Sequence, residues 1–238
     1  MTSDYLSDIE LYYIPLSFET TGESVTFTVE EYHHIVNVMK HRVGDILKVT
    51  DGLGNLFNAG IEEISKKEIT LTMELLKHAV EQFANITIGI PVLKNNDRME
   101  TALEKCVELG FTRFAIFPTV RSTSRKINME RLEKIAVSAM KQSLNLNLPK
   151  LTLYNNAEAL IQDPHFQIVA FDVRGETTIK DYRFNKNLNY FLFFGPEGGL
   201  TPEEVGKAIN SNRINLINTR LRTESAIIYT ASVIKLLN

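Results

Sequence analysis

Two short stretches of this chain combine residue types and spacing that can bind and act on a ligand. In Gly195-Pro196-Glu197-Gly198-Gly199 a carboxylate stands among three glycines. Glycines lack a Cβ, so a ligand can come up to the backbone there. Glu197 puts negative charge where a pyrophosphate would otherwise lie, which suits a neutral or cationic ligand. The stretch has no Gly-Lys-Ser/Thr, so it is not a P-loop, and no G-x-G-x-x-G dinucleotide fingerprint. The second stretch is Arg220-Leu221-Arg222-Thr223-Glu224-Ser225-Ala226, with Glu224 suited to the first turn of a helix and Arg222 near the mouth of the glycine loop. A third stretch, Thr119 to Lys126, holds Arg121, Ser122, Arg125 and Lys126 among hydroxyls and contains no acid. Such groups neutralise and hydrogen-bond phosphates. Lys94 and Arg98 follow the preceding strand and are expected to point the same way. An ordinary glycine turn and a solvated basic loop are the plain alternatives.

The elements that must position these residues are legible around them. Tyr190–Phe194 is an apolar run that reads as a buried strand. Thr201-Pro202-Glu203-Glu204 then predicts a helix start, a capping box with proline at the first helical position. From residue 81 onward strands and helices alternate. Strands are expected at Ile86–Leu93, Arg113–Phe117, Leu151–Tyr154, Gln167–Asp172, Tyr190–Phe194 and Arg213–Ile217. Helices are expected at Asp97–Leu109, Asn128 to about Asn145, Asn155–Ile161, after Thr201, and from Thr223. This alternation predicts a parallel sheet covered on both faces, with ligands at the carboxyl ends of its strands. The last helix is nearly apolar all round, which implies burial within one subunit or in a dimer interface.

Residues 11–80 read as mostly β, with strands at Leu11–Pro15, Val25–Val29, Ile46–Val49, Asn55–Ile61 and Glu68–Leu75. A helix runs from Glu30 to about Lys40, and Asp51-Gly52 marks a hairpin. A small barrel is expected. His33, His34 and His41 match no zinc spacing, so no metal is expected.

The 238 residues are 44% apolar and 23% charged, the composition of an ordinary globular protein. A single cysteine, Cys106, excludes an internal disulfide framework. The acidic start is no signal peptide, and no apolar run reaches membrane-spanning length, so a cytoplasmic protein without a membrane partner is expected. The formal net charge of −3 is unevenly spread. Residues 1–80 carry 6 basic and 13 acidic groups, residues 81–150 carry 11 and 7, and residues 151–238 carry 9 and 9. The basic excess is local to the middle of the chain.

Taken together these stretches resemble the ribosomal RNA small subunit methyltransferase E family of the SPOUT, or trefoil-knotted, methyltransferases. Gly195-Pro196-Glu197-Gly198-Gly199 with Glu204 looks like its glycine-rich loop. Leu221-Arg222-Thr223-Glu224-Ser225-Ala226 looks like its Leu-Arg-Thr-Glu-Thr-Ala signature. Lys94, Arg98 and Glu104 to Gly110 resemble its Lys…Glu-Leu-Gly segment, and Lys141-Gln142-Ser143 its Gln-Ser helix. His33-His34, Gly44-Asp45 and Asp51-Gly52 resemble the start of its N-terminal domain.

The resemblance implies an α/β fold: a PUA-like RNA-binding β-barrel over residues 1–80, and a SPOUT-type parallel-sheet domain with a deep trefoil knot over residues 81–238. It implies a homodimer that uses S-adenosylmethionine to methylate N3 of a uridine in 16S rRNA of the small ribosomal subunit. Cofactor contacts are expected from Phe171 and Asp172, from Phe194, Gly195, Glu197, Gly198 and Gly199, and from Leu216, Ile217, Leu221 and Arg222. A uridine must lose its N3 proton, and Glu197 and Glu224 are the candidate acceptors. Arg222 is the candidate to stabilise the developing negative charge. RNA contacts are expected from Lys94, Arg98, Arg121, Ser122, Arg125, Lys126, Lys141 and Gln142. Ile217 stands where the family usually has glycine, Lys40 where arginine is usual, and Asn145 and Asn147 where basic residues are. An RNA-binding assembly factor with a decayed cofactor loop is the alternative those departures raise. An enzyme on a small soluble substrate is the alternative raised by the net negative charge.

Overall fold

The structure, a computed structural model, describes residues 9–15, 24–28, 32–66, 68–122, 126–208 and 211–237. The chain divides into two compact units, residues 1–81 with 140–148, and residues 82–139 with 149–238.

Period-two alternation builds the first unit. Its strands are β1 (Leu11–Tyr13), β2 (Ser24–Thr28), β3 (Ile46–Thr50), β4 (Asn55–Ile64) and β5 (Glu68–His78). They pair in the order β1-β3-β4-β5-β2, with β1 parallel to β3 and the other described pairs antiparallel. Leu47 and Val49, Phe57, Ala59 and Ile61, then Ile69 and Leu71 occupy alternate positions and are buried. Alternate side chains of a strand share one face, which is why these residues make one core. Helix α1 (His33–Val38), a π-wound turn, adds Ile35 to it. Of the expected helix, Glu30 and Glu31 lie outside the described residues, as does Val29 of the second expected strand. The far end of α1 stops where Lys40 takes left-handed backbone, φ 63°. The β3–β4 turn forms at Asp51-Gly52: Asp51 Oδ1 accepts the Leu53 N–H at 2.7 Å, the side-chain-to-backbone bond that makes aspartate a turn former. Residues 140–148 join this unit through its turn, with Leu146 O accepting the Gly54 N–H and Leu148 N–H donating to Gly52 O.

The second unit is built on strands β6 (Ile86–Pro91), β7 (Arg113–Phe117), β8 (Lys150–Leu153), β9 (Phe166–Phe171), β10 (Thr177–Thr178), β11 (Asn189–Phe193) and β12 (Ser211–Asn215). Their order is β10-β12-β9-β11-β6-β7-β8, and every described pair is parallel. Helices α2 (Asn96–Glu108), α3 (Met129–Gln142), α4 (Glu158–Ile161), α5 (Pro202–Lys207) and α6 (Thr223–Leu237) connect and follow them. α2 packs against α6, and α4 packs against α5 and β9. Strand β11 lies mid-sheet between β9 and β6, and Tyr190 to Phe193 are fully buried. That placement explains its unbroken apolar run, since a strand buried on both faces need not alternate. Phe117, Phe191 and Phe193 form an aromatic cluster at its centre.

Among the differences from the sequence expectation, two boundaries and one strand bear on the site. Strand β12 ends at Asn215, two residues early, which frees Leu216 and Ile217 for the loop beyond it. Helix α3 ends at Gln142, because Leu144 adopts left-handed backbone (φ 56°) and the Asn145 N–H turns back to Met140 O. The two-residue strand β10 was too short to show a period. Because the sheet is parallel, the loops leaving β6, β7, β9, β11 and β12 all emerge at one edge.

Candidate active site

Those loops enclose a cavity of about 390 Å³ at the carboxyl edge of the sheet, within the range of small-molecule sites. Three of them form its wall: Phe171 to Arg174 after β9, Phe194 to Leu200 after β11, and Asn215 to Leu221 after β12. Thr223, Ala226 and Arg121 complete it. Of the residues expected to hold a cofactor, Phe171, Asp172, Phe194, Gly195, Glu197, Gly198, Gly199, Leu216, Ile217 and Leu221 all face this cavity. Arg222 does not; its side chain is exposed just before α6.

The glycine-rich loop is folded tightly on itself. Gly199 N–H donates to Pro196 O at 2.8 Å, and Gly199 has φ 72°. A Cβ on Gly195 would lie 2.7 Å from Leu200 N and 2.9 Å from the Gly199 carbonyl carbon, so only glycine fits that closure. The loop is also tied to its neighbours. The Thr223 hydroxyl donates to Gly195 O at 2.9 Å, joining it to the start of α6. Arg121 Nη1 donates to Gly198 O at 2.6 Å.

The capping box after the loop has a second task. Thr201 and Glu204 exchange the expected reciprocal bonds, and Pro202 opens α5. The other Glu204 oxygen accepts the Val120 N–H at 2.9 Å, which anchors the loop after β7. Ser122 holds the same loop from the other side, donating to Val92 O at 2.9 Å and accepting the Thr119 N–H at 3.0 Å.

The charged groups fall into two sets around the cavity. At the β9 exit, Arg174 makes a two-pronged bond to Asp172, through Nε to Oδ1 and Nη2 to Oδ2. That guanidinium holds the Asp172 carboxyl below the usual aspartate range. At the β11 exit, Glu197 Oε1 accepts the Lys94 N–H at 3.3 Å and lies 3.6 Å from Arg98 Nη1. Arg98 Nε is in turn 3.5 Å from Glu224 Oε1. The two carboxylates singled out in the sequence are therefore brought to one guanidinium. Asn215 Oδ1, in the cavity wall, is buried with no hydrogen-bond partner.

The basic residues expected to meet RNA are dispersed. Lys94 and Lys126 are exposed, and Arg125 lies outside the described residues. Arg121, Ser122 and Arg98 are engaged within the protein as described. Lys141 and Gln142 belong to the first unit. Sequence reasoning missed Val173, Arg174, Leu200 and Asn215 as wall residues. Their only sequence signal is adjacency to the loops already marked. Cys106 is fully buried in α2, and burial pushes its thiol far up, so it is no nucleophile. In the first unit His34 Nδ1 lies 3.3 Å from Glu10 Oε1, and His41 Nδ1 hydrogen-bonds Asp45 Oδ2 at 3.1 Å.

Residues 80–235, which hold every loop of this cavity, match the family model of an RNA methyltransferase domain. The chain belongs to the RNA methyltransferase family. Residues 27–74 match the RNA methyltransferase PUA domain, so the first unit is the PUA-like part of such an enzyme. The chain is similar to the ribosomal RNA small subunit methyltransferase E of Bacillus subtilis, with 29% identity over 95% of this chain and 96% of that protein. It is 31% identical to a probable rRNA-methyltransferase of Porphyromonas gingivalis, whose crystal structure superposes with a TM-score of 0.83 over 96% of this chain and 98% of that one. The ribosomal RNA small subunit methyltransferase E of Neisseria gonorrhoeae, solved bound to S-adenosyl methionine, shares the fold: TM-score 0.80 at 24% identity, over 96% of this chain and 98% of that one. The methyltransferase fold thus accounts for both units.

Proposed function

We propose that this protein is a cytoplasmic, S-adenosylmethionine-dependent methyltransferase acting on N3 of a uridine in 16S rRNA of the small ribosomal subunit. The observation that carries the reading is the cavity whose wall is the glycine-rich loop with Glu197. Five features fit the cofactor. The volume is adequate for it. Glu197 in the wall, with Asp172 beside it, gives a sulfonium cation carboxylates to face, although Arg98 lies 3.6 Å from Glu197. Asn215 Oδ1, buried and unpartnered, is an acceptor for an amino or hydroxyl group. Phe171, Phe194 and Leu216 supply apolar surface for a purine, and Asp172 an anionic oxygen for hydroxyl donors.

When bound, S-adenosylmethionine supplies an electrophilic methyl group. The chain's own residues do the rest. The bonds from Thr223 and Arg121 fix the glycine-rich loop, so positioning carries much of the rate. Glu197 or Glu224 takes the N3 proton, and Arg222, free at the surface, stabilises the negative charge that then spreads onto the uracil oxygens. Lys94 and Lys126, with Arg125, Lys141 and Gln142, are proposed to meet the RNA backbone.

Two structural features extend the proposal. A Cβ on Gly175 would lie 2.5 Å from Asn215 N and 2.6 Å from the Ile214 carbonyl carbon. So close a passage of the β9 exit against the β12 exit supports a trefoil knot at this edge. Helix α6 buries Ile227, Ala231 and Ile234 but leaves Leu236 84% exposed. That uncovered apolar end supports a homodimer through α6.

The test is calorimetric titration of S-adenosylmethionine, followed by methyl transfer to small subunits lacking the mark, with N3-methyluridine identified by mass spectrometry. Saturable binding with transfer is expected. Ile217 in the cavity wall favours one second reading, an RNA-binding assembly factor with a disabled pocket. Absence of binding, restored by Ile217→Gly, would establish it.

A further inference from the structure

We infer that Arg98 is a positioning residue that clamps Glu197 to Glu224, and not a contact to RNA phosphate. The inference rests on reading the cavity as the methyl-transfer site. The two carboxylates belong to different elements: Glu197 to the loop after β11, Glu224 to the first turn of α6. Arg98 comes from a third, the first turn of α2. Its Nη1 is 3.6 Å from one carboxylate and its Nε 3.5 Å from the other. The planar fork of a guanidinium can face two acceptors at once, which an ammonium on a flexible stem cannot do in fixed geometry.

Burial decides against the phosphate role. The Glu224 side chain is only 14% exposed, against 31% for Arg98, and Glu224 Oε2 is buried with no partner. Arg98 is the cation at its other oxygen. If Arg98 swung out to a phosphate, the largely buried Glu224 would keep only the α6 N-terminus to offset its charge, which is unfavourable. Among the described residues, Glu197 would retain the Lys94 N–H as its one remaining partner. The neighbouring Lys94 side chain is exposed and can reach RNA without breaking any of this. With Arg98 in place, the glycine-rich loop and the α6 start are held in one register, and the unpartnered Glu224 Oε2 is left as the free acceptor of the cluster.

The test compares wild type, Arg98→Ala, Arg98→Lys, Glu224→Gln and the Arg98→Ala/Glu224→Gln pair. In methyl transfer to small-subunit RNA, Arg98→Ala is expected to lower kcat roughly 10- to 100-fold with KM for RNA unchanged. Arg98→Lys, which restores the charge without the fork, recovers part of kcat. RNA affinity across a salt series keeps the wild-type slope. A slope reduced by about 0.7 to 0.9, the signature of one lost phosphate contact, together with a raised KM and unchanged kcat, would overturn the inference. Thermal unfolding of the same set reads the clamp without substrate. The double variant is expected to lose less stability than the sum of the single variants, and strict additivity would overturn the clamp. A wild-type protein that binds RNA but transfers no methyl would overturn the proposed function, with the melting cycle still deciding the clamp.

Discussion

Gly195 and Gly198 sit three residues apart in the same loop, yet the structure assigns them different tolerances. The Cβ of Gly195→Ala would meet backbone at 2.7 and 2.9 Å, and backbone cannot move aside without opening the turn. The nearest atoms to the Cβ of Gly198→Ala would be those of the Arg121 side chain, from 3.2 Å. Gly195→Ala is therefore expected to weaken S-adenosylmethionine binding by about 100-fold, and Gly198→Ala by about tenfold or less, read by calorimetry. Asp172 supports a prediction in pH. Its carboxyl is held below the usual range by Arg174, so the stabilisation from that pair is present above the ordinary aspartate value and is lost as pH falls through the depressed one. The melting temperature should therefore fall on acidification below about pH 4, and Asp172→Asn should flatten that part of the profile while lowering the melting temperature at neutral pH. A profile identical in the variant would show that the pair contributes nothing to folding. At this scale the sequence was informative about Glu197 and Glu224 as chemistry-bearing groups. It was silent on their shared guanidinium, because residues 98, 197 and 224 meet only through the fold.

The capping box of α5 is the element on which the cavity's rim depends. Thr201 and Glu204 were legible as a cap because capping is local: donor and acceptor are three residues apart. The second bond of Glu204, to the Val120 N–H, was not legible, because its partner is 84 residues away. Glu204→Gln keeps the shape but turns one carboxylate oxygen into a donor facing a backbone donor. A loss of roughly 1–2 kcal/mol in unfolding free energy is expected. Hydrogen exchange at the Val120 amide should accelerate in that variant. Unchanged protection there would show that the loop after β7 is held without Glu204. Thr201→Ala should cost a similar amount, roughly 1 kcal/mol, and leave the Val120 amide protected, which separates the two tasks of the box. Strand β12 makes the same point about reach. Its apolar pattern ran on to Ile217, but pairing with β9 stops at Ile214, and the residues beyond it become cavity wall.

For the molecule as a whole, the prediction is electrostatic. The formal net charge is −3, yet the proposed partner is a polyanion, so binding must rest on the local basic excess of residues 81–150. Affinity for small-subunit RNA should fall linearly with the logarithm of salt concentration, and Lys126→Ala should reduce that slope by about one phosphate contact. A salt-independent affinity would remove the nucleic-acid reading. The sequence by itself determined the class of the fold and marked the cavity-forming loops, and ten of the eleven residues it named for the cofactor line the wall. Those features follow from local periods, caps and glycines, which act over a few residues. The tertiary structure alone decided the strand order, with β12 returning between β9 and β10. It also brought Arg98 to Glu197 and Glu224 and Arg121 to Gly198 O, left Arg222 outside the cavity, and joined residues 140–148 to the first unit. Each of these depends on groups distant in the chain competing for the same partner, and that competition is settled only when the chain is packed.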